Sequence, residues 1–573
     1  MRQQRNGPAK DKETYLFMIF LFGMAAYYGY RMFAITPWYD ELYTYYYFIS
    51  RGPVYAAIHW PLPNNHVGYS AISACLIIFG SAAVALRGVS WICSLGSLIL
   101  LYKTGKKCFA GFLAWIPVFV FAGMSMVNQL AVQGRGYALV TFCYLLALWE
   151  LLHIVVEHRR KKRDYILFGV SLVTALWAIP SSLYVVMPVC MIGGAVLLFQ
   201  KEHRALLQLI VTSLISAVCT AGLYGVLWLA IGSNLLVKTP DSGFTGMSHG
   251  AVILQAPCEA IITGVTYMLD TPYIQSMTRE QFTAQASDWL QTLFGTQLAP
   301  VIGMKNNIMC YILAGALLTV TGWSIWRIKN KAHPLLKTKH LIRPDKAQGL
   351  PKAQGAEKMQ ELLPEEMDRD CFREFLEWYF GLTISLLAIA LLIQCKLPYQ
   401  RVFSFLGVWV ALLMAWLVDT LGILADRTRA VKEKNPDISA RMGIACSILT
   451  GSLCILTLLL DRAPYSMRDE LLRDAYGQYA MEQTARVAVT DCDQEYFLLY
   501  AYDIKEDRVT RRIEEADVVL LDKALLGMEY QYRESPEEWK FYLTKEEIPE
   551  AYLEEKMEPV YENWQFILYE RKQ

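Results

Sequence analysis

The chain has 573 residues, of which 54% are hydrophobic and 13% aromatic, and its mean hydropathy is +0.27. This composition excludes an ordinary soluble protein of the same size, so the bilayer must be the main solvent. The formal net charge of +1 excludes recruitment of nucleic acid by an overall basic field. The 13 cysteines are scattered without CxxC or metal-binding spacing, and we interpret them as small buried hydrophobes.

Apolar runs of membrane-spanning length predict a polytopic helical protein. The first run begins near Tyr15 after several basic residues and is too long for a signal sequence. Since backbone groups in hydrocarbon must be satisfied within the segment, the runs are expected to be helices. Further runs begin near Val67, Gly88, Cys108, Gly136, Tyr165, Leu183, Leu207, Ile308, Phe375, Val402 and Met442.

Basic clusters assign a side of the membrane to each loop, because Lys and Arg are enriched on the cytoplasmic side. The clusters agree on one topology if the run from Val67 to Leu86 does not cross. That run contains serines and ends at Arg87, so we interpret it as a juxtamembrane or re-entrant segment. About eleven crossings remain. The N-terminus is then cytoplasmic and the C-terminus extracytoplasmic.

Three outer segments and one inner linker are long in this topology. The outer segments are residues 36–87, residues 232–307 and the tail from Asp461, and the linker, 329–373, has a composition that predicts flexibility. The fold class is therefore an all-α polytopic module over 1–460, followed by a small extracytoplasmic α/β domain over 461–573. Strand-like runs in that domain are 486–490, 496–502, 517–521, 539–543 and 564–570.

Polar residues collect at the outer ends of the predicted helices. Taken singly, each is more often a solvated carboxylate, a turn residue or an interfacial anchor. Together they suit a water-exposed site that receives an anionic lipid. They are Asp40 and Glu41 after the first span, Asn64, Asn65 and His66 further along that loop, Arg135 and Tyr137 in Gln133-Gly134-Arg135-Gly136-Tyr137, and Tyr399 and Arg401 in Pro398-Tyr399-Gln400-Arg401.

In order and placement these motifs resemble the GT-C superfamily, particularly the bacterial branch related to protein O-mannosyltransferases and to the aminoarabinose transferase acting on lipid A. The resemblance covers roughly residues 10–460. It implies a plasma-membrane glycosyltransferase that takes a sugar from a polyprenyl-phosphate donor on the outer face. It also implies juxtamembrane helices in the first outer loop and a catalytic acid there, which places that role on Asp40 with Glu41 beside it.

The expected reaction is a single displacement with inversion. Asp40 is expected to deprotonate the acceptor hydroxyl, while Arg135 and Arg401 stabilise the leaving phosphate. Residues adjacent in a helix point about 100° apart, so only one of Asp40 and Glu41 should face the site. The sequence leaves open whether a magnesium or manganese ion bridges Asp40 and the phosphate, since these cations prefer hard oxygen ligands. No second acidic ligand is evident, and several relatives carry an acid where this chain has Gln133-Gly134.

Three other classes of membrane protein explain fewer of these features. A transporter or flippase of lipid-linked saccharides usually places ionisable residues near mid-membrane, where this chain has almost none. A polysaccharide polymerase or ligase would use similar arginines, but it gives no reason for Asp40-Glu41 directly after the first span. A receptor built around the C-terminal domain leaves the large first loop unexplained. The acceptor stays open between protein, lipid, teichoic-type polymer and glycan.

Overall fold

The computed structural model of the chain describes residues 8–59, 65–231, 276–299, 308–330, 333–337, 356–430, 438–461, 466–478, 485–502, 504–528 and 541–572, with isolated positions between 248 and 262. In chain order the helices are α1 (Pro8–Ala34), α2 (Tyr39–Tyr47), α3 (Pro53–Ile58), α4 (Val67–Ala74), α5 (Ala82–Cys108), α6 (Ile116–Ala122), α7 (Ser125–Leu130), α8 (Tyr137–Val155), α9 (Lys162–Ala178), α10 (Leu183–Phe199), α11 (His203–Ile231), α12 (Arg279–Leu290), α13 (Ile308–Lys329), α14 (Pro334–Lys337), α15 (Ala356–Gln394), α16 (Leu406–Ala430), α17 (Ile438–Leu460), α18 (Met467–Gly477), α19 (Cys492–Ala501) and α20 (Glu550–Lys556).

Long apolar helices form the membrane module. In the ranges above, nine helices are long and apolar enough to cross a membrane: α1, α5, α8, α10, α11, α13, α15, α16 and α17. Two shorter segments run between the same two ends of the bundle. One comprises α6 and α7, which are separated at Gly123, and the other is α9, with 17 residues. With these two segments the bundle matches the all-α polytopic fold predicted from the sequence.

The two ends of the bundle differ in the charged groups that they carry. One end, called here the ion-pair end, carries Lys106 at 2.8 Å from Glu13 and Arg160 at 3.0 Å from Glu202. The opposite end, called here the site end, carries the loops with Arg135 and Arg401. Lys107 also pairs with Glu157 at the ion-pair end, so the basic residues that follow α5 and α8 lie together, as the charge pattern requires.

The run from Val67 to Leu86 does not form a spanning helix, as predicted. Its apolar helical part, α4 followed by the 3-10 turn Cys75–Phe79, is too short to cross. Gly80 then turns the chain with φ +68°, a left-handed conformation that favours glycine. The next helix begins at Ala82 rather than near Gly88, and as a result Arg87 lies inside α5 and is buried.

The predicted cytoplasmic linker 329–373 is shorter than expected. Residues 356–373 belong to α15, because this stretch is rich in Glu, Met, Gln and Leu, which favour helix. Residues 338–355 of that linker lie outside the described residues, as does most of the second outer loop, 232–307. The described part of that loop includes α12 and a π-helical turn, Gln291–Gln297. The indole N–H of Trp289, in α12, donates to the carbonyl of Pro398 at 2.7 Å.

The C-terminal region contains a five-stranded mixed sheet with the order β2-β1-β3-β5-β4. Parallel pairing joins β1 to β2 and β3, and antiparallel pairing joins β5 to β3 and β4. The α/β class predicted for this region is confirmed. The strands are β1 (Val487–Ala488), β2 (Val509–Thr510), β3 (Val518–Asp522), β4 (Met557–Glu562) and β5 (Phe566–Arg571).

Two of the predicted strands are wrong. Residues 496–502 lie mostly in α19, because Asp491 caps this helix by accepting from the Gln494 N–H at 2.9 Å. In the run 539–543, the described residues contribute only an isolated bridge from Phe541 to Asp491. The strands β2 and β4 were not predicted, since β2 has two residues and β4 is mostly exposed.

The C-terminal region packs directly on the first loop. One hydrophobic cluster joins Leu42 and Tyr43 of α2 to Tyr496 and Phe497 of α19. Hydrogen bonds reinforce the contact, with the N–H of Thr36 donating to Glu470 at 3.0 Å. The predicted domain boundary at residue 460 therefore marks a change in composition, but one hydrophobic cluster contains residues from both sides of it.

Candidate active site

Helix α2 begins at Tyr39, two residues after Pro37, and orients the two acids in different directions. Trp38 is its N-cap, and Glu41 reaches back to accept from the Trp38 N–H at 3.4 Å. Acidic side chains are stabilising in the first turn of a helix. Asp40 keeps 21% of its side chain exposed, whereas Glu41 has none exposed.

Glu41 is occupied by protein groups. The Nε and Nη2 atoms of Arg87 lie 2.8 and 2.9 Å from its two carboxylate oxygens. The backbone N–H of Gly134 donates to Oε1 at 2.6 Å. The predicted catalytic pair is thus divided, and this geometry favours a structural role for Glu41.

Asp40 lies between the two arginines that were predicted to accompany it. Its Oδ2 atom is 3.5 Å from Nη2 of Arg401 and 3.9 Å from Nη2 of Arg135. These three residues come from separate helix ends, 95 and 361 positions from Asp40 in the chain. The structure therefore assembles one carboxylate and two guanidinium groups at the site end.

Arg135 is buried and held in place by the first loop. Its Nη1 donates to Thr44 Oγ1 at 2.9 Å and to the Asp40 carbonyl at 3.4 Å. Burial lowers the pKa of Arg135, and the nearby Asp40 carboxylate opposes that shift. Since an arginine stays charged in proteins, Arg135 is a fixed positive charge beside Asp40.

His66 lies against Arg135. Its Nδ1 accepts from the Gly136 N–H at 2.9 Å, and its Nε2 is 3.1 Å from Nη2 of Arg135. Burial, followed by the charges of Arg135 and Arg401, lowers the pKa of His66 well below its usual range. A neutral ring that accepts at Nδ1 carries its proton on Nε2. The Nε2–H of His66 and the Nη2–H of Arg135 are therefore two neighbouring donors. An anionic oxygen between them would accept from both.

Arg401 is enclosed by aromatic rings. Its guanidinium carbon lies 5.0 Å from the ring centres of both Trp38 and Tyr399. Tyr137 adds a side-chain hydrogen bond. Tyr399 is 68% exposed, so it lies where the site meets solvent. Rings packed on a guanidinium leave its N–H edge for ligand oxygens, which suits phosphate.

Asn65 does not join this cluster. Asn65 is buried, and its amide donates to the carbonyls of Ala56 and His59 at 3.1 and 2.7 Å. Its Oδ1 accepts from Ser70 at 2.6 Å, so the side chain holds the loop together. Asn64, which was predicted to bind the donor, lies outside the described residues.

The surroundings of Asp40 do not fit a divalent cation. In the described part of the chain, one group of His, Cys, Asp or Glu residues has ligand atoms close enough to share an ion, and it is Glu150, His153 and Asp164. There the Nη2 atom of Arg159 already lies 2.7 Å from His153 and 2.9 Å from Asp164. Asp40 instead has two guanidinium groups as its charged neighbours, and these repel a metal ion.

Sequence reasoning missed three residues of this site: Trp38, Thr44 and Arg87. Trp38 stands two residues before Asp40 in the sequence Trp38-Tyr39-Asp40-Glu41, so its position was a usable signal. Arg87 was assigned to the end of the juxtamembrane segment, and no local pattern indicates that it pairs with an acid 46 positions away.

Residues 67–228 match a family model described as dolichyl-phosphate-mannose-protein mannosyltransferase. The resemblance to the GT-C superfamily is confirmed. The matched stretch of this GT-C-like chain includes Arg135 and Tyr137, whereas Asp40, His66 and Arg401 lie outside it. A comparison with curated proteins gave no match.

Solved structures include distant neighbours of this GT-C-like chain. One is the archaeal oligosaccharyltransferase AglB from Archaeoglobus fulgidus in complex with an inhibitory peptide and a dolichol-phosphate, with 12% identity and TM-score 0.39 over 89% of this chain and 70% of that one. Another is ArnT from Cupriavidus metallidurans bound to undecaprenyl phosphate, with 11% identity and TM-score 0.39 over 96% and 97%. Its apo state gives 9% identity and TM-score 0.37 over 97% and 98%.

Proposed function

We propose that this chain is a glycosyltransferase that moves a sugar from a polyprenyl-phosphate donor to an acceptor hydroxyl at the outer face of the plasma membrane. The observation that carries the proposal is the position of the partly exposed Asp40 carboxylate, 3.5 and 3.9 Å from the guanidinium groups of Arg401 and Arg135. The match of residues 67–228 to the family described as dolichyl-phosphate-mannose-protein mannosyltransferase supports a donor of the lipid-phosphate class.

The chemistry assigned to these residues is one displacement. The acceptor oxygen forms a bond to the anomeric carbon while Asp40 takes its proton, and the bond from that carbon to the phosphate oxygen breaks. The bonding electrons leave with the phosphate, whose charge Arg401 and Arg135 stabilise. Attack opposite the leaving group inverts the anomeric configuration.

Basic residues support the outer location. Lys106 and Arg160 lie at the ion-pair end, and the positive-inside rule favours a cytoplasmic location for that end. This supports an outer location for the site end. This orientation also puts the C-terminal region outside. A polyprenyl carrier would then present its phosphate at the level of Arg135 and Arg401, with its tail beside the apolar helices.

We propose that the enzyme works without a divalent cation at Asp40. Arg135 and Arg401 already supply two positive charges where a metal would stabilise the phosphate. Because an isolated carboxylate between two guanidinium groups offers a poor ligand set, no step of the mechanism is assigned to a metal ion.

Deletion of the gene followed by complementation tests the proposed function. Mass spectrometry of envelope glycans should show a sugar that disappears in the deletion strain and returns with the wild-type gene. Asp40→Asn should not restore it, although the protein reaches the membrane, because the change is isosteric and removes the base. Asp507→Asn, a matched change at an exposed acid of the C-terminal region, should restore it. Unchanged glycans on deletion, or restoration by Asp40→Asn, would refute the proposal.

A further inference from the structure

Trp38 holds a buried hydrogen-bond donor beside the proposed active site. The indole N–H can only donate. In the described ranges, the Nε1 atom of Trp38 is buried and has no hydrogen-bond partner. Trp38 immediately precedes α2 and therefore stands two positions before Asp40.

Arg401 presents the same feature. Its guanidinium lies 5.0 Å from the ring centre of Trp38, and its Nε is likewise buried with no partner among the residues that the structure describes. Native proteins retain few buried donors without an acceptor, since each one destabilises the fold. Two of them on touching side chains indicate an acceptor that arrives with a ligand.

The charge of the site indicates what kind of acceptor is needed. Arg135 and Arg401 contribute two positive charges, while Asp40 contributes one negative charge. The charge of Glu41 is compensated by Arg87, and the lowered pKa of His66 keeps its ring neutral. This group of side chains thus has an excess of one positive charge, which favours an anionic oxygen over a neutral hydroxyl.

We propose that Trp38 donates a hydrogen bond from Nε1 to a phosphate oxygen of the lipid-linked donor, next to Arg401. This inference rests on the proposed function. It adds a neutral donor to the two arginines and explains why a tryptophan stands at this N-cap, where Ser, Thr, Asp or Asn is usual. The bond persists on the released polyprenyl phosphate, so Trp38 contributes to donor and product binding alike.

Trp38→Phe tests this role because it keeps a ring over Arg401 and removes only the N–H. The probe is undecaprenyl phosphate, titrated into the full-length protein in nanodiscs, with the thermal stability of the lipid-free protein as a second readout. Trp38→Phe should weaken binding by about tenfold, as expected for a lost bond to a charged group. The melting temperature without added ligand should stay equal or rise, because a buried unpartnered donor is removed.

Trp91→Phe is the matched control. Its indole N–H donates to the Ala25 carbonyl at 3.0 Å between α5 and α1. Its removal should lower the melting temperature and leave undecaprenyl phosphate binding unchanged. Equal binding by Trp38→Phe and wild type would overturn the role of Trp38 while the proposed function stands. A wild type that does not bind undecaprenyl phosphate would overturn both, and loss of stability in Trp38→Phe would show that the N–H has a partner within the protein.

Discussion

Arg87 and Glu41 form a bidentate ion pair with no exposed side-chain surface, although they lie 46 positions apart in the chain. Arg87 also donates to the carbonyls of Met32 and Ile35 at 2.8 and 2.7 Å, where α1 ends. Glu41 accepts from Gly134, next to Arg135. The pair thus links the end of α1, the start of α2 and the loop of Arg135, and it positions Asp40 relative to one of its arginines.

Glu41→Gln should destabilise the protein by about 3–5 kcal/mol, because Arg87 would keep a buried charge without a counter-charge. The thermal midpoint in detergent and the transfer rate measure this effect. Replacing both residues by methionine should restore part of the stability but not the activity, since Gly134 loses its acceptor. Glu280→Gln, at an exposed acid of α12, is the control. A stable but inactive Glu41→Gln variant would instead assign Glu41 to the chemical step.

Arg401→Lys should weaken donor binding while leaving the charge in place. A lysine cannot present two parallel N–H donors to a phosphate or stack between Trp38 and Tyr399 as a planar group. We expect the apparent KM for the lipid donor to rise by about tenfold, which corresponds to about 1.4 kcal/mol. Arg512→Lys, at an arginine with 78% of its side chain exposed, should leave KM unchanged. An unchanged KM in Arg401→Lys would count against the clamp role.

Chelation of divalent cations should not reduce transfer. Two guanidinium groups lie within 4 Å of Asp40, so an added cation would meet repulsion at this carboxylate. The rate with excess EDTA is expected to equal the rate with added magnesium or manganese. Activity that disappears with EDTA and returns with either metal would contradict this prediction and require another ligand set.

Several site positions could be predicted because each one directly borders an apolar run. Asp40 follows the first span, Arg135 precedes α8 and Arg401 precedes α16, so topology alone brings them to one end of the bundle. Their charges then suggest an anion. The roles of these residues stay predictions, whereas their proximity is a structural finding.

Other features depend on packing that no local pattern contains. The sequence places Arg87 at the end of a juxtamembrane segment, and only the close approach of α5 to the end of α1 makes it the partner of Glu41. Residues 496–502 are rich in aromatic residues and lack β-branched ones, and a short apolar run of this kind fits a strand or a helix equally well. The cap at Asp491 and burial of Tyr496 and Phe497 against α2 select the helix.

His66 should make stability depend on pH. Burial, then Arg135 and Arg401, lowers its pKa in the folded protein. Below a pH of about 6.5, His66 therefore binds a proton in the unfolded chain but stays neutral in the folded protein. The free energy of unfolding falls as the pH falls. His66→Gln lacks this titration, so the melting-temperature gap between wild type and variant should narrow from about pH 7.5 to about pH 5.5. A gap that stays constant or widens would show that the folded protein protonates His66.

Tyr496 of the C-terminal region should control the orientation of α2. Its ring lies 6.0, 5.8 and 5.4 Å from the rings of Tyr39, Tyr43 and Tyr46, on the helix that carries Asp40. Tyr496→Ala removes this contact but leaves both arginines on the membrane bundle. We therefore expect kcat to fall by about tenfold or more, while KM for the lipid donor changes little, because misplacing a reacting group mainly slows the chemical step.

Tyr552→Ala distinguishes this orientation effect from general loss of the C-terminal fold. Tyr552 packs in a separate cluster of the same region and donates to the Glu514 carbonyl at 3.1 Å, away from α2. Its removal should lower the melting temperature without changing kcat in the folded protein. If both variants lose kcat equally, the C-terminal region acts only through its overall stability. If Tyr496→Ala retains full kcat, α2 holds its orientation through the Glu41–Arg87 pair alone, since that pair remains intact in the variant.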